Sequence, residues 1–149
     1  MKLEDEIKQK KFVNEQQKLA LNIQFTSSWM YLKNVQALKP FDISPEQFNV
    51  LRILRGQFPN PSSIQLITER MLDKSSNASR IVEKLRAKEL LERKECPSDR
   101  RLVDVVITDK GLELLKLLDV ELSKWLNLLD EISDEEATMV NLILDKIRK

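Results

Sequence analysis

Two adjacent arginines are the side chains of this sequence whose placement most clearly calls for a chemical role. Arg100 and Arg101 follow the segment Cys-Pro-Ser-Asp at residues 96–99 and precede a run rich in β-branched residues. Arginines in that place cannot help a core, so they either pair within the fold or bind something outside it. A guanidinium suits phosphate and the narrow minor groove of DNA. One of the two arginines could therefore contact nucleic acid, while Asp99 braces the other as an intramolecular pair.

A second group of polar side chains lies upstream, on a helix that we predict over about residues 76–88. Its apolar residues recur at helical spacing and form an inward face of Ala78, Ile81, Val82 and Leu85. Hydroxyls and amides on the outward face can bind bases or phosphates, and Arg80 can bind guanine in bidentate geometry. The candidate DNA-binding residues of this segment are Ser75, Ser76, Asn77, Ser79, Arg80 and Lys84.

The elements that position these groups are predicted from capping and turn residues and from the spacing of apolar residues. Residues about 4–38 have helical periodicity, and capping boxes at Ser44 and Ser133 predict two further helix starts. Ser62 with Gln65 is another possible capping box, and Thr108 is predicted to cap the long helix that follows the hairpin. The runs LLERKEC and RLVDVVI around Pro-Ser-Asp predict a β-hairpin over about residues 91–107. The order is helix, helix, short helix, helix, hairpin and two helices. This order is that of a winged helix-turn-helix, whose second helix enters the major groove. The predicted fold is mainly α, with six helices and a small β-hairpin wing.

Composition and charge limit the functional classes. The chain has 149 residues, no His, one Cys and a net charge of +1. His-based catalytic triads, His metal ligands and a zinc ribbon are thereby excluded, so we expect no enzyme, metal or cofactor. Residues 74–101 carry nine basic and five acidic side chains, whereas residues 102–149 carry six and eleven. This basic centre suits a phosphate-binding face, although charge counts alone favour a solvated mixed surface.

Apolar residues are too numerous in the region 112–129 for a helix that packs on one side only. Eleven of these 18 positions are Leu, Val or Trp. A one-sided helix needs an apolar stripe of about 100°, so the surplus predicts burial by a partner chain.

The N-terminus lacks the apolar core of a secretory signal and no run is long enough to span a membrane. A cytoplasmic homodimer is the expectation.

Several motifs together resemble the MarR family of transcriptional regulators. ISPEQFNVLRIL resembles the opening of that family's second helix, and Asp99 and Arg101 match its Asp-x-Arg wing signature. Thr108 and Gly111 match the Leu-Thr-x-x-Gly that follows, with Ile107 in place of Leu. The match runs from about Gln17 to Lys149. One departure is Glu89, which stands where the family usually has glycine.

The resemblance implies a homodimer that binds a pseudo-palindromic site on double-stranded DNA. It divides the chain into an N-terminal dimerisation segment (1–40), a winged helix-turn-helix lobe (41–110) and C-terminal dimerisation helices (111–149). It also implies release from DNA by a small ligand, often aromatic, in a cleft between the dimer helices and the lobe. Candidate residues for lining that cleft are Trp29, Met30, Phe48 and Arg52.

Two alternatives stay open at this point. The winged helix could bind protein without sequence-specific DNA binding, in which case no steep salt dependence of duplex affinity is expected. Cys96 could sense oxidants, since Arg93 and Lys94 would lower its pKa. A thiol of no special function is the simpler reading of a lone cysteine in a wing.

Overall fold

The computed structural model describes residues 1–96 and 99–149, with the side chains of residues 95, 96, 99–103 and 125 outside the description. The described part is mainly helical with one small antiparallel sheet, as predicted. Its helices are α1 (Leu3–Glu6), α2 (Glu15–Leu38), α3 (Pro45–Gln57), α4 (Ile64–Arg70), α5 (Ala78–Ala87), α6 (Asp109–Leu126) and α7 (Asp134–Ile147). Its strands are β1 (Ser62–Ser63), β2 (Leu91–Cys96) and β3 (Asp99–Ile107).

The N-terminal region differs from the single helix expected over residues 4–38, so the described part has seven helices and not six. Lys8 has φ of 55°, which a continuing right-handed helix does not allow. Asn14 then begins α2 afresh, because its side chain accepts a hydrogen bond from the backbone N–H of Gln17 at 2.8 Å. An N-cap of this kind satisfies an otherwise unpaired donor. The N-cap at Asn14 therefore determines where α2 begins, although the spacing of apolar residues predicts one continuous helix.

The other predicted helix starts are closer to the structure. Ser44 and Gln47 form the capping box of α3, with Pro45 at its first position, and Ser133 and Glu136 form that of α7. For α4 the sequence favoured Ser62 as the cap, and this is wrong. Ser63 accepts from the Leu66 N–H at 3.1 Å, while Ser62 lies in β1.

The sheet has the strand order β1-β3-β2, with both pairings antiparallel. The hairpin of β2 and β3 was predicted, whereas β1 was not, because it pairs only Ser62 with Val105 and Ser63 with Asp104. A two-residue strand held by a distant partner leaves no periodic pattern in the sequence. Its role is to fix the base of the hairpin next to α4.

One hydrophobic core joins the end of α2, α3, α4, α5 and the sheet to α6 as far as Leu122. Its fully buried side chains include Leu38, Val50, Leu51, Leu54, Ile67, Leu85, Leu91, Val105, Leu115 and Leu118. The orientation of α5 is therefore set by packing on its whole inner face. The division into three segments at residues 40 and 110 stays a proposal.

The junction between hairpin and α6 depends on a close approach. The hydroxyl of Thr108 donates to the Glu89 carbonyl at 2.8 Å and accepts from the Gly111 N–H at 3.1 Å, so Thr108 caps α6 as predicted. A Cβ on Gly111 would lie 2.3 Å from the Leu90 carbonyl oxygen. Only glycine fits there.

Candidate nucleic-acid interface and ligand cavity

Helix α5 begins two residues later than predicted. Asn77 is its N-cap and accepts from the Arg80 N–H at 3.0 Å, so Ser75, Ser76 and Asn77 precede the helix. The reason for the difference is local: an Asn that bonds to the backbone ahead of it is favoured over extension of the helix by another turn.

The faces of α5 are divided as the sequence predicted. Ala78, Val82 and Leu85 are buried, and Ile81 is half-buried against the core. Ser79, Arg80 and Lys84 are exposed on the opposite side. Within the described part of the chain, no carboxylate forms an ion pair with Arg80 or Lys84. These cations are therefore available to a partner outside the chain.

Asp73 organises the turn in front of α5. It accepts from the Ser75 hydroxyl at 2.7 Å, from the Ser75 N–H at 2.9 Å and from the Ser76 hydroxyl at 3.0 Å. The hydrogen bonds from Ser75, followed by that from Ser76, hold the pKa of Asp73 below its ordinary value. Ser75 and Ser76 were candidates for binding DNA, and their hydroxyl protons point to Asp73 in this structure. Their first role is to shape the turn.

A second carboxylate ties α5 to the hairpin. Glu83 forms ion pairs with Arg86, at 3.2 Å, and with Arg93 of β2. Burial favours a higher pKa for Glu83, but the hydrogen bond from Arg86 and the charge of Arg93 outweigh it and lower the pKa. Arg86 and Arg93 are thus engaged within the fold. No local sequence motif predicts this brace, because Glu83 and Arg93 lie ten residues apart.

The backbone of the hairpin fits a wing. Strands β2 and β3 pair from Leu91–Ile107 outward, with an irregularity in register between Glu95 and Cys96. Asp99, Arg100 and Arg101 begin β3, but their side chains lie outside the described residues, as does the side chain of Cys96. The bracing of an arginine by Asp99 stays a prediction.

A cavity of about 460 Å³ lies between α2, α3, α6 and the segment before α5, and we call it the interhelical cavity. Three of the four residues predicted for a ligand cleft line it: Met30, Phe48 and Arg52. Trp29 is absent from the lining. It is 39% exposed on the outer side of α2, where the Lys33 ammonium lies 5.6 Å from the centre of its ring.

The interhelical cavity also has polar lining residues that sequence reasoning missed. The Tyr31 hydroxyl donates to Glu46 at 2.9 Å. That hydrogen bond raises the pKa of Tyr31, and burial together with the charges of Glu46 and Asp73 adds to the effect. Asp119 of α6 accepts from Arg55 of α3 through both oxygens, at 2.5 and 3.3 Å. These residues come from four chain segments, so no local motif could have identified them.

The terminal helices expose large apolar side chains. No residue of α7 is buried. Among the described side chains, the exposed large apolar residues of α6 and α7 are Leu117, Val120, Leu126, Met139, Val140, Leu142, Ile143 and Ile147, at 42–65%. Large apolar side chains exposed in such number are typical of an interface with another chain.

Two kinds of site are absent among the described residues. No group of three or more His, Cys, Asp or Glu side chains is placed to hold a metal ion there. None of the described helices is both long enough and apolar enough to cross a membrane.

Comparison with known proteins identifies similar regulators. A family model described as MarR family matches residues 41–102. The HTH-type transcriptional regulator MhqR of Bacillus subtilis (strain 168) is 32% identical over 106 residues, which are 70% of this chain and 72% of MhqR.

Solved structures share the fold. In the S. aureus MepR–DNA complex the matching chain is 22% identical, with a TM-score of 0.77 over 86% of this chain and 94% of that one. A structure of Bordetella bronchiseptica BpsR, solved for the regulation of its DNA binding by 6-hydroxynicotinic acid, is 19% identical, with a TM-score of 0.73 over 89% and 99% of the two chains.

Proposed function

This chain belongs to the MarR family of winged helix-turn-helix transcriptional regulators, and from that premise we propose that it binds a pseudo-palindromic operator as a homodimer. In this proposal α5 lies in the major groove and the hairpin of β2 and β3 reaches the adjacent minor groove. The observation that carries the proposal is the division of α5 into an inner face packed on the core and an exposed outer face, on which Arg80 and Lys84 form no ion pair with any described carboxylate. The side chains assigned to DNA binding remain those predicted from the sequence.

The homodimer is supported by the apolar surfaces of α6 and α7. Leu142 and Met139 are 65% and 64% exposed, and leaving such side chains in water costs roughly 1.5–3 kcal/mol each compared with full burial. A second copy of the chain would cover them. Twofold symmetry would then place the two α5 helices about one DNA turn apart, roughly 34 Å.

We further propose that a small molecule in the interhelical cavity weakens DNA binding. The cavity lies directly behind the segment that leads into α5, and Asp73 belongs to both. A ligand can change the affinity for DNA only if it binds one arrangement of α5 better than another. BpsR, whose DNA binding responds to 6-hydroxynicotinic acid, has this fold.

An enzymatic role is not part of this proposal, since the similar proteins are transcriptional regulators. A cytoplasmic location, where such a regulator would meet its operator, stays a prediction. The alternative of a protein-binding winged helix predicts no preference among duplex sequences.

Selection of bound sequences from random duplexes by the purified protein tests the proposal. We expect an inverted repeat, and an affinity for it that falls steeply with salt because several phosphates are neutralised. Recovery of unrelated sequences with weak, sequence-independent binding would favour the protein-binding alternative.

A further inference from the structure

The interhelical cavity contains more acidic than basic side chains. Glu46, Asp73 and Asp119 line it, and Arg52 is its one basic residue among the described residues. Arg55 neutralises Asp119 through a bidentate ion pair. Glu46 and Asp73 therefore face a single positive charge among the lining residues, so the formal charge of the lining is negative.

An aromatic ring of the interhelical cavity already contacts a cationic side chain. The guanidinium carbon of Arg52 lies 5.7 Å from the centre of the Phe48 ring, within the range of a cation–π contact. Arg52 is exposed and has no carboxylate partner among the described residues. The ring face of Phe48 thus already contacts a cationic group, carried by an exposed side chain.

The carboxylates and the aromatic rings are close to each other. Tyr31 binds Glu46 through its hydroxyl, and its pKa responds to the charges of both Glu46 and Asp73. Apolar walls from Met30, Met71 and Leu122 complete the cavity. A negative site with aromatic faces and an apolar floor is complementary to an amine or quaternary ammonium attached to an apolar body.

We propose that the interhelical cavity binds an organic cation, with its charged group between Glu46 and Asp73 and in competition with Arg52 for the Phe48 ring. This proposal depends on the ligand-regulated function above, which it makes specific. An aromatic carboxylate or phenolate would instead have to pair with Arg52 and would be repelled by two carboxylates.

Asp73 gives the cation a direct route to the DNA-binding helix. The same carboxylate accepts three hydrogen bonds from Ser75 and Ser76, which lie immediately before the cap of α5. A cation that pairs with Asp73 competes with these hydrogen bonds. Loss of these hydrogen bonds would alter the turn that sets the orientation of α5. Binding of the ligand's charged group would therefore change the affinity for DNA.

The test compares phenyltrimethylammonium with benzoate by titration calorimetry on the full-length protein. We expect saturable binding of the cation, at least about tenfold tighter than that of benzoate and weakened by added salt. Glu46→Gln and Asp73→Asn should each weaken cation binding roughly three- to tenfold. Arg52→Gln should strengthen it, because the competing guanidinium is removed.

The controls separate loss of charge from loss of folding. Glu113→Gln removes an exposed carboxylate of α6 outside the cavity, where it pairs with Lys116, and should leave cation binding unchanged. Glu46→Asp keeps the charge and should retain binding. Tighter binding of benzoate, loss of all binding in Arg52→Gln, or no saturable binding of phenyltrimethylammonium at millimolar concentration would overturn the proposal.

The same protein preparations are also assayed for binding to the selected duplex. A protein that binds the duplex but prefers benzoate contradicts the ligand class alone. A protein that binds the cation but no duplex sequence contradicts the proposed function and leaves the charge preference of the cavity standing.

Discussion

Glu89 is the residue at which this chain departs most clearly from its family, and the structure gives the departure a physical cost. Its φ is 61°, in the left-handed region that glycine enters freely and other residues enter at about 1–2 kcal/mol. Its ion pair with Lys110 is exposed and returns little of that cost. The backbone thus adopts a conformation that favours glycine, although the residue there is glutamate.

Glu89→Gly should therefore stabilise the protein by roughly 0.5–1 kcal/mol, after allowance for the greater entropy of glycine in the unfolded chain. Urea midpoints at one fixed protein concentration would measure this. Glu92→Gly is the matched control, because Glu92 is an exposed residue of β2 with ordinary strand geometry. It should lower the midpoint, and a lower midpoint for both variants would refute the explanation.

Gly111 has the opposite requirement. Gly111→Ala should destabilise the protein by about 1–3 kcal/mol, since its Cβ would clash with the Leu90 carbonyl and, at 2.7 Å, with Ile107. Gly56→Ala in α3 meets nothing within 4 Å and should stabilise by about 0.5–1 kcal/mol. Thermal melts of the two variants should move in opposite directions; equal shifts would contradict the packing argument.

At the scale of elements, α5 is the one on which the proposed reading of DNA depends. Arg80→Ala should cost about 1–3 kcal/mol of binding to the selected operator if Arg80 reads a base, with little effect on random duplexes. Titration of both duplexes with labelled DNA would measure the difference. Equal losses on the two duplexes would show that Arg80 contacts phosphate only. Arg86→Ala is the control, because Arg86 already pairs with Glu83.

Much of the element order could be predicted because its determinants are local. The capping boxes at Ser44 and Ser133 and the Thr108 cap each depend on residues within one turn of helix. Features that arise from distant partners were missed. The strand β1 exists only through its pairing with Val105 and Asp104 of β3.

The interhelical cavity was only partly predictable for the same reason. Met30, Phe48 and Arg52 were chosen from the helices expected to flank a cleft, and all three line it. The sequence does not fix the rotation of α2 closely enough to favour Tyr31 over Trp29, which lies two residues earlier. The contributions of Asp73 and Asp119 require the complete fold, since they come from segments far apart in sequence.

At the scale of the whole molecule, the apolar face of α7 predicts the assembly. Leu142→Asp should shift the protein from dimer to monomer, because a buried unpaired charge at an interface costs several kcal/mol. Sedimentation at low micromolar concentration would detect the change in mass. Leu72→Asp changes a leucine that is 86% exposed outside the terminal helices and should leave the dimer intact. Equal behaviour of the two variants would argue against the interface on α7.

The central claim is that two copies of this chain present paired α5 helices to one duplex. The native mass of the complex with the selected operator tests it most directly. We predict two chains of 17.4 kDa on each duplex, in the wild-type protein and not in Leu142→Asp. A single chain on each duplex, or no complex with any selected sequence, would contradict it.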